Sequence, residues 1–111
     1  MAYEKLVRVA RAVYERTKSG AIKWEQTSRD NEFQTSFPNY SILVQTTPQG
    51  YVLKICNDSG QVIEELSWMD AVASSFMEMP ELFELARRQA MGVEQALDEL
   101  LGELAPSSNK K

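Results

Sequence analysis

The sequence predicts an α+β domain, with an N-terminal helix, an antiparallel meander of four or five short strands, and C-terminal helices packed on one face of the sheet. Two observations predict this class. Apolar residues recur at helical spacing towards both ends of the 111-residue chain, and they alternate with polar ones in the middle. The length suits a single domain, which we assign to residues 1–105, with 106–111 as a disordered tail.

The first helix is predicted over residues 3–18. Seven side chains fall on one face at the i, i+3, i+4 spacing, and charged side chains occupy the other face. The shared face holds Tyr3, Leu6, Val7, Ala10, Val13, Tyr14 and Thr17. Gly20 suits the left-handed residue that commonly follows a helix, so we expect the helix to end just before it.

The middle of the chain alternates between apolar and polar residues, as expected for strands with one wet face. The predicted strands are residues 21–27, 33–37, 40–47, 51–56 and 61–66. The turn signals 48–50 (PQG) and 57–60 (NDSG) separate the last three strands and predict two hairpins. Because each strand follows its neighbour through a short connection, the order predicts a meander.

Helical composition returns at Ser67, which is a candidate N-cap with Asp70 three residues further on. Pro80 suits the first turn of a later helix. An unbroken heptad spacing then runs through Met79, Phe83, Ala86, Ala90, Val93, Leu97, Leu100 and Leu104. This spacing favours one continuous helix from about Pro80 to Leu104, in which Gly92 costs about 1 kcal/mol. The alternative is that Gly92 ends one helix and a second begins at Val93.

A continuous helix of this length would be about 37 Å long, more than a small domain needs to cover its own sheet. The first helix is basic and the last is acidic, so they could attract each other within one chain or across a dimer. We therefore expect a protein partner, and the candidate is a second copy of the chain. The predicted interaction residues are Phe83, Val93, Leu97, Leu100, Leu104 and Trp68. The alternative is that the apolar face packs on the sheet of its own chain.

The order of Arg87, Arg88 and Gly92 is superficially that of a helix-turn-helix motif. The spacing from alanine to glycine does not fit, and the segment 93–104 carries four carboxylates and no basic residue. A recognition helix lies among phosphates and uses basic or amide side chains, so we expect no binding to duplex DNA.

Several other classes of site are disfavoured by composition. The chain has no histidine and one cysteine, Cys56, which rules out an intrachain disulfide and leaves that thiol without a histidine to activate it. We predict no cofactor and no metal, because no phosphate-binding glycine loop and no ligand spacing is present. No segment approaches the roughly 20 apolar residues of a membrane span, so we expect a cytoplasmic protein.

Together these observations predict a non-enzymatic interaction or regulatory domain that acts as an adaptor, regulator or inhibitor of a protein partner and self-associates through its C-terminal helix. The alternative is a module that binds a nucleotide or peptide in a groove between sheet and helices. A third, weaker hypothesis is a small hydrolase that relies on carboxylates.

Overall fold

A computed structural model describes residues 3–106 and confirms the α+β class. Nine elements follow one another along the chain. They are α1 (Glu4–Lys18), β1 (Glu25–Gln26), β2 (Glu32–Ser36), β3 (Tyr40–Thr47), β4 (Gly50–Asn57), β5 (Val62–Ser67), α2 (Trp68–Ala73), α3 (Met79–Ala90) and α4 (Val93–Leu104). Of the predicted tail, residues 107–111 lie outside the described part of the chain.

The five strands form one antiparallel sheet in sequence order, as the predicted meander requires. A row of paired residues, Phe33, Val44, Leu53 and Leu66, crosses β2 to β5 on the face that the helices cover, and all four are buried. Both predicted hairpin turns form, with Gly50 and Gly60 at positive φ. Because successive side chains of a strand point to opposite faces, this row of apolar positions gives the sheet one core face.

The helices α1 and α3 lie side by side on that face and run parallel to each other. Arg11 of α1 pairs with Glu78 just before α3, and one turn further along both helices Glu81 lies close enough to Tyr14 to raise the pKa of the tyrosine. The predicted cap also forms, because the Ser67 hydroxyl accepts a hydrogen bond from the backbone N–H of Asp70 (3.1 Å) at the start of α2.

The predicted first strand, residues 21–27, is wrong in extent, since only Glu25 and Gln26 pair with β2. Gln89 of α3 accounts for the difference. Its amide nitrogen donates to the carbonyl oxygen of Ile22 (3.1 Å), and its amide oxygen accepts from the backbone N–H of Trp24. The backbone groups that would have joined the strand ladder are bound instead by a helix side chain, while Ile22 and Trp24 remain buried as the alternation predicted.

The prediction of one continuous helix from Pro80 to Leu104 is also wrong. The first helix ends at Ala90, and Gly92 takes the left-handed conformation (φ 64°, ψ 38°) before α4 begins. Glycine adopts this conformation without steric cost, so the chain turns where the heptad spacing indicated no interruption. The alternative, a helix end at Gly92, is the one that the structure has. The argument for a dimer from a 37 Å helix is therefore lost.

The break directs α4 away from the rest of the domain. Helix α4 packs on the end of α3 and has no other extensive contact among the described elements. The described part of the chain measures 63 × 30 × 27 Å as a result. The last helix is thus an arm of about 18 Å attached to a compact body.

Candidate functional site

The most distinctive surface of the molecule is the apolar face of α4. None of its twelve residues is buried within the described structure, although the helix contains four leucines. The exposed fraction rises towards the end of the helix, from 44% at Leu97 through 53% at Leu100 to 76% at Leu104. Val93, in the first turn, is half-buried against the body. We call the surface formed by Leu97, Leu100 and Leu104 the leucine face of α4, and no part of the described chain packs on it.

Carboxylates flank the leucine face on both sides. At 100° per residue, Glu99 and Glu103 lie along one border of the leucine face, and Glu94 and Asp98 along the other. No basic residue occurs between Val93 and Leu104. Glu94 forms an ion pair with Arg88 across the turn at Gly92. A surface that binds this helix would need an apolar centre and a basic border.

The structure places the six predicted interaction residues in three separate locations. Val93, Leu97, Leu100 and Leu104 share one face of α4, as the heptad spacing predicted. Phe83 does not belong to that surface: it is 7% exposed and lies in the core, and its ring centroid is 5.5 Å from that of Phe33.

Trp68 lies on the body and is partly exposed. Its ring meets Tyr51 edge-on at 6.0 Å, and its side chain closes over Gly50, where an added Cβ would approach to 3.3 Å. Trp68 therefore packs on the β3–β4 hairpin, and it is not part of the leucine face of α4.

A second apolar surface lies on the body, between the N-terminal half of α1 and the sheet. It is an open groove of about 700 Å³, whose floor includes the paired residues Ile42 and Ile55. Four exposed apolar side chains line it: Val9 (38%), Phe37 (41%), Tyr40 (51%) and Ile63 (51%). Among the described residues, Lys5 and Glu64 are the charged ones in its lining. We call it the α1–sheet groove.

The sequence analysis predicted a groove between sheet and helices only as an alternative and assigned no residues to it, although two signals point to its lining. Val62 and Ile63 are adjacent apolar residues in a strand, where only one of two neighbours can face the core. The structure resolves this with a bulge, since Ile55 pairs with Glu64 and Cys56 pairs with Val62. Val9 is the other signal, because it is apolar but lies outside the buried face of α1.

The remaining polar groups have structural explanations. The pair Glu84–Arg87 is an exposed contact within α3, and the hydrogen bond from Arg87 lowers the pKa of Glu84. The hydrogen bond to Glu81, with burial, raises the pKa of Tyr14 to about 12. Within residues 3–106, no group of three or more His, Cys, Asp or Glu side chains is arranged to hold a metal ion. Over the same range, no helix combines the length and apolar content that crossing a membrane requires.

Comparisons with protein-family models, with curated proteins and with solved structures gave no match. No site or activity is therefore transferred to this chain from a relative. The candidate functional site is the leucine face of α4, with the α1–sheet groove as the second surface of interest.

Proposed function

We propose that this protein is a non-enzymatic interaction or regulatory domain that self-associates through α4. The observation that carries the proposal is the exposure of Leu97, Leu100, Leu101 and Leu104 on a helix that buries none of its described residues. Exposed apolar patches of this kind typically mark sites of protein contact. In this proposal the domain acts in the cytoplasm as an adaptor, regulator or inhibitor of a protein partner.

The alternative is a module that binds a small molecule or peptide in a groove between sheet and helices. The α1–sheet groove favours this alternative by its size, because small-ligand pockets usually span roughly 300–1,000 Å³. Its lining is almost entirely apolar, however, and Lys5 is the one basic residue among the described residues of that lining. The phosphates of a nucleotide need several hydrogen-bond donors. This groove is therefore better suited to binding a surface of apolar side chains.

A carboxylate-dependent hydrolase has the least support. It would need acidic side chains that converge in a polar pocket, because paired carboxylates supply acid–base chemistry only when they face each other across the substrate. Among the described residues, the lining of the α1–sheet groove contains one carboxylate, that of Glu64. The acidic residues of α4 are spread along two borders of an exposed helix.

The proposal is tested by sedimentation velocity over a range of micromolar concentrations. We expect the wild-type chain to form dimers and Leu100→Asp to remain monomeric, because the new carboxylate would have to be buried in the apolar contact. The matched control is Gln95→Asp, which adds the same charge on the opposite side of α4 and should leave the dimer intact. A wild-type chain that stays monomeric throughout this range would overturn self-association.

A further inference from the structure

We propose that the leucine face of α4 docks into the α1–sheet groove of a second copy of this chain, with the two copies exchanging their α4 helices. The inference rests on the proposed function, and it specifies which surface receives the helix. Each copy then supplies one arm and one groove, and neither apolar surface is left open.

The first argument is shape. The helices α1, α2 and α3 pack against the sheet, and the groove lies beside α1 with no residue of α2 or α3 in its described lining. A further helix placed there would continue the helix layer at the usual spacing of 8–10 Å between helix axes, over the floor made by Ile42 and Ile55. Amphipathic helices bind such grooves through residues at i, i+3, i+4 and i+7 positions. Leu97, Leu100 and Leu104, the exposed residues of the face, fall at the i, i+3 and i+7 positions of this pattern.

The second argument is charge. On α1, Lys5, Val9, Ala12 and Arg16 share one exposed flank at helical spacing, and Lys5 and Val9 line the groove. A helix docked beside this flank would bring an acidic border of α4 next to Lys5 and Arg16. The groove also contains Glu64, on the strand β5, so the basic side of the groove is the α1 side.

Pairing α4 with α4 of another copy is disfavoured by the same charges. Each α4 carries Glu94, Asp98, Glu99 and Glu103 and no basic residue. A direct pair of these helices would gather only carboxylates around a shared apolar contact, and like charges at such distances repel. The α1–sheet groove reduces this cost on its α1 side, where the border carries basic residues.

The third argument concerns connectivity. Only Met91 and Gly92 separate α4 from α3, and the first turn of α4 lies near Thr17, at the C-terminal end of α1. The groove lies at the other end of α1, around Lys5 and Val9. A two-residue connection that points the arm away from the body therefore leaves the groove of the same chain out of reach, so the occupant comes from another copy.

Exchange between two copies also fits the area that a stable interface needs. A helix of about 18 Å is short for an interface that typically buries about 800 Å² per partner. Reciprocal exchange provides two such contacts related by a two-fold axis, which is the commonest closed symmetry of protein oligomers. Each copy then contributes both a helix and a groove to the interface.

The test is a complementation experiment with two variants. Val9→Glu places a carboxylate in the groove, and Leu100→Asp places one on the leucine face of α4. Both side chains are exposed in the described chain, so both variants are expected to fold. Val72→Glu is the matched control for the groove, because Val72 is exposed to a similar degree (40%) on α2 and does not line the groove.

We expect each variant alone to be monomeric in sedimentation velocity and the control to dimerise as the wild type does. A mixture of Val9→Glu and Leu100→Asp, with one variant carrying a fluorescent tag, should form a heterodimer, because one intact arm still meets one intact groove. Its dissociation constant should be at least about tenfold higher than that of the wild type, since one of two contacts is lost.

Three outcomes separate the possibilities. If Val9→Glu dimerises like the wild type while Leu100→Asp does not, the inference is overturned and self-association through α4 stands. If both variants are monomeric and their mixture does not associate, the exchange is likewise overturned. If the wild type itself is monomeric, the proposed self-association fails together with the inference.

Discussion

Removing α4 tests the idea that this helix serves contacts outside its own chain. Truncation after Gly92 deletes a helix that buries no residue in the described structure. Its links to the body are the half-buried Val93 and the exposed ion pair between Arg88 and Glu94. An exposed pair contributes about 0.2–1 kcal/mol, and partial burial of one valine contributes roughly 1 kcal/mol. We therefore expect the free energy of unfolding of the monomer to fall by no more than about 2 kcal/mol.

Self-association adds a second contribution that depends on concentration. Binding of a partner to the folded state stabilises it by about 2.7 kcal/mol when the partner is present at 100 times the dissociation constant. The difference in unfolding free energy between the full chain and the truncated chain should therefore grow with protein concentration. The truncated chain should show a urea midpoint that does not change with concentration.

The assay is urea denaturation followed by tryptophan fluorescence, at protein concentrations from nanomolar to high micromolar. The control is Leu82→Ala on α3, a fully buried residue whose truncation should cost about 2–5 kcal/mol at every concentration. A loss as large as that of Leu82→Ala at the lowest concentration would mean that α4 packs on the body of its own chain. That result would refute the reasoning from its exposure.

Three further results are expected. Gln89→Ala should lower the free energy of unfolding by about 2 kcal/mol in urea titrations, because two partly buried hydrogen bonds to residues 22–24 are lost. The control Gln95→Ala removes an exposed side chain and should change the free energy of unfolding by less than about 0.5 kcal/mol. The pKa of Tyr14 is raised to about 12 by the hydrogen bond to Glu81. The stability that Tyr14 contributes should therefore be present below the ordinary tyrosine pKa of 10.0 and be lost as pH rises towards 12. In urea titrations, Tyr14→Phe should show a smaller decline in stability over this pH range. An equal decline in both proteins would contradict the assignment. Gly92→Ala should favour a continuous helix from α3 to α4, because an alanine in the left-handed conformation costs about 1–2 kcal/mol. The ellipticity at 222 nm should then become more negative in circular dichroism. An unchanged spectrum would contradict this prediction.

The parts of the fold that could be predicted from the sequence are those fixed by local chemistry. Ser67 caps a helix because its hydroxyl can reach the backbone N–H of Asp70. Gly20 and Gly60 occupy left-handed positions at the ends of elements, as turn chemistry predicts. Alternation in the strands identified the core face of the sheet. In each case the signal lies within a few residues of its effect.

The errors arose where a distant residue or a backbone choice decided the outcome. Residues 22–24 alternate like a strand, but Gln89, 65 residues beyond Trp24, binds their backbone groups. At Gly92 the apolar spacing stays in phase on both sides of the turn, so periodicity could not reveal the break. A glycine accepts both a helical and a left-handed conformation, and the sequence on either side does not choose between them.

The heptad spacing through Gly92 shows how far such a pattern can be interpreted. Its first half, including Met79, Phe83 and Ala86, is buried in the core, whereas its second half lies exposed on α4. The same spacing therefore indicates an apolar face in both halves but says nothing about what covers it. Burial supplies the missing information: the first half is buried within the chain, whereas no described part of the chain covers the second half. The case for an interaction surface thus depends on the helix break that the sequence analysis did not favour.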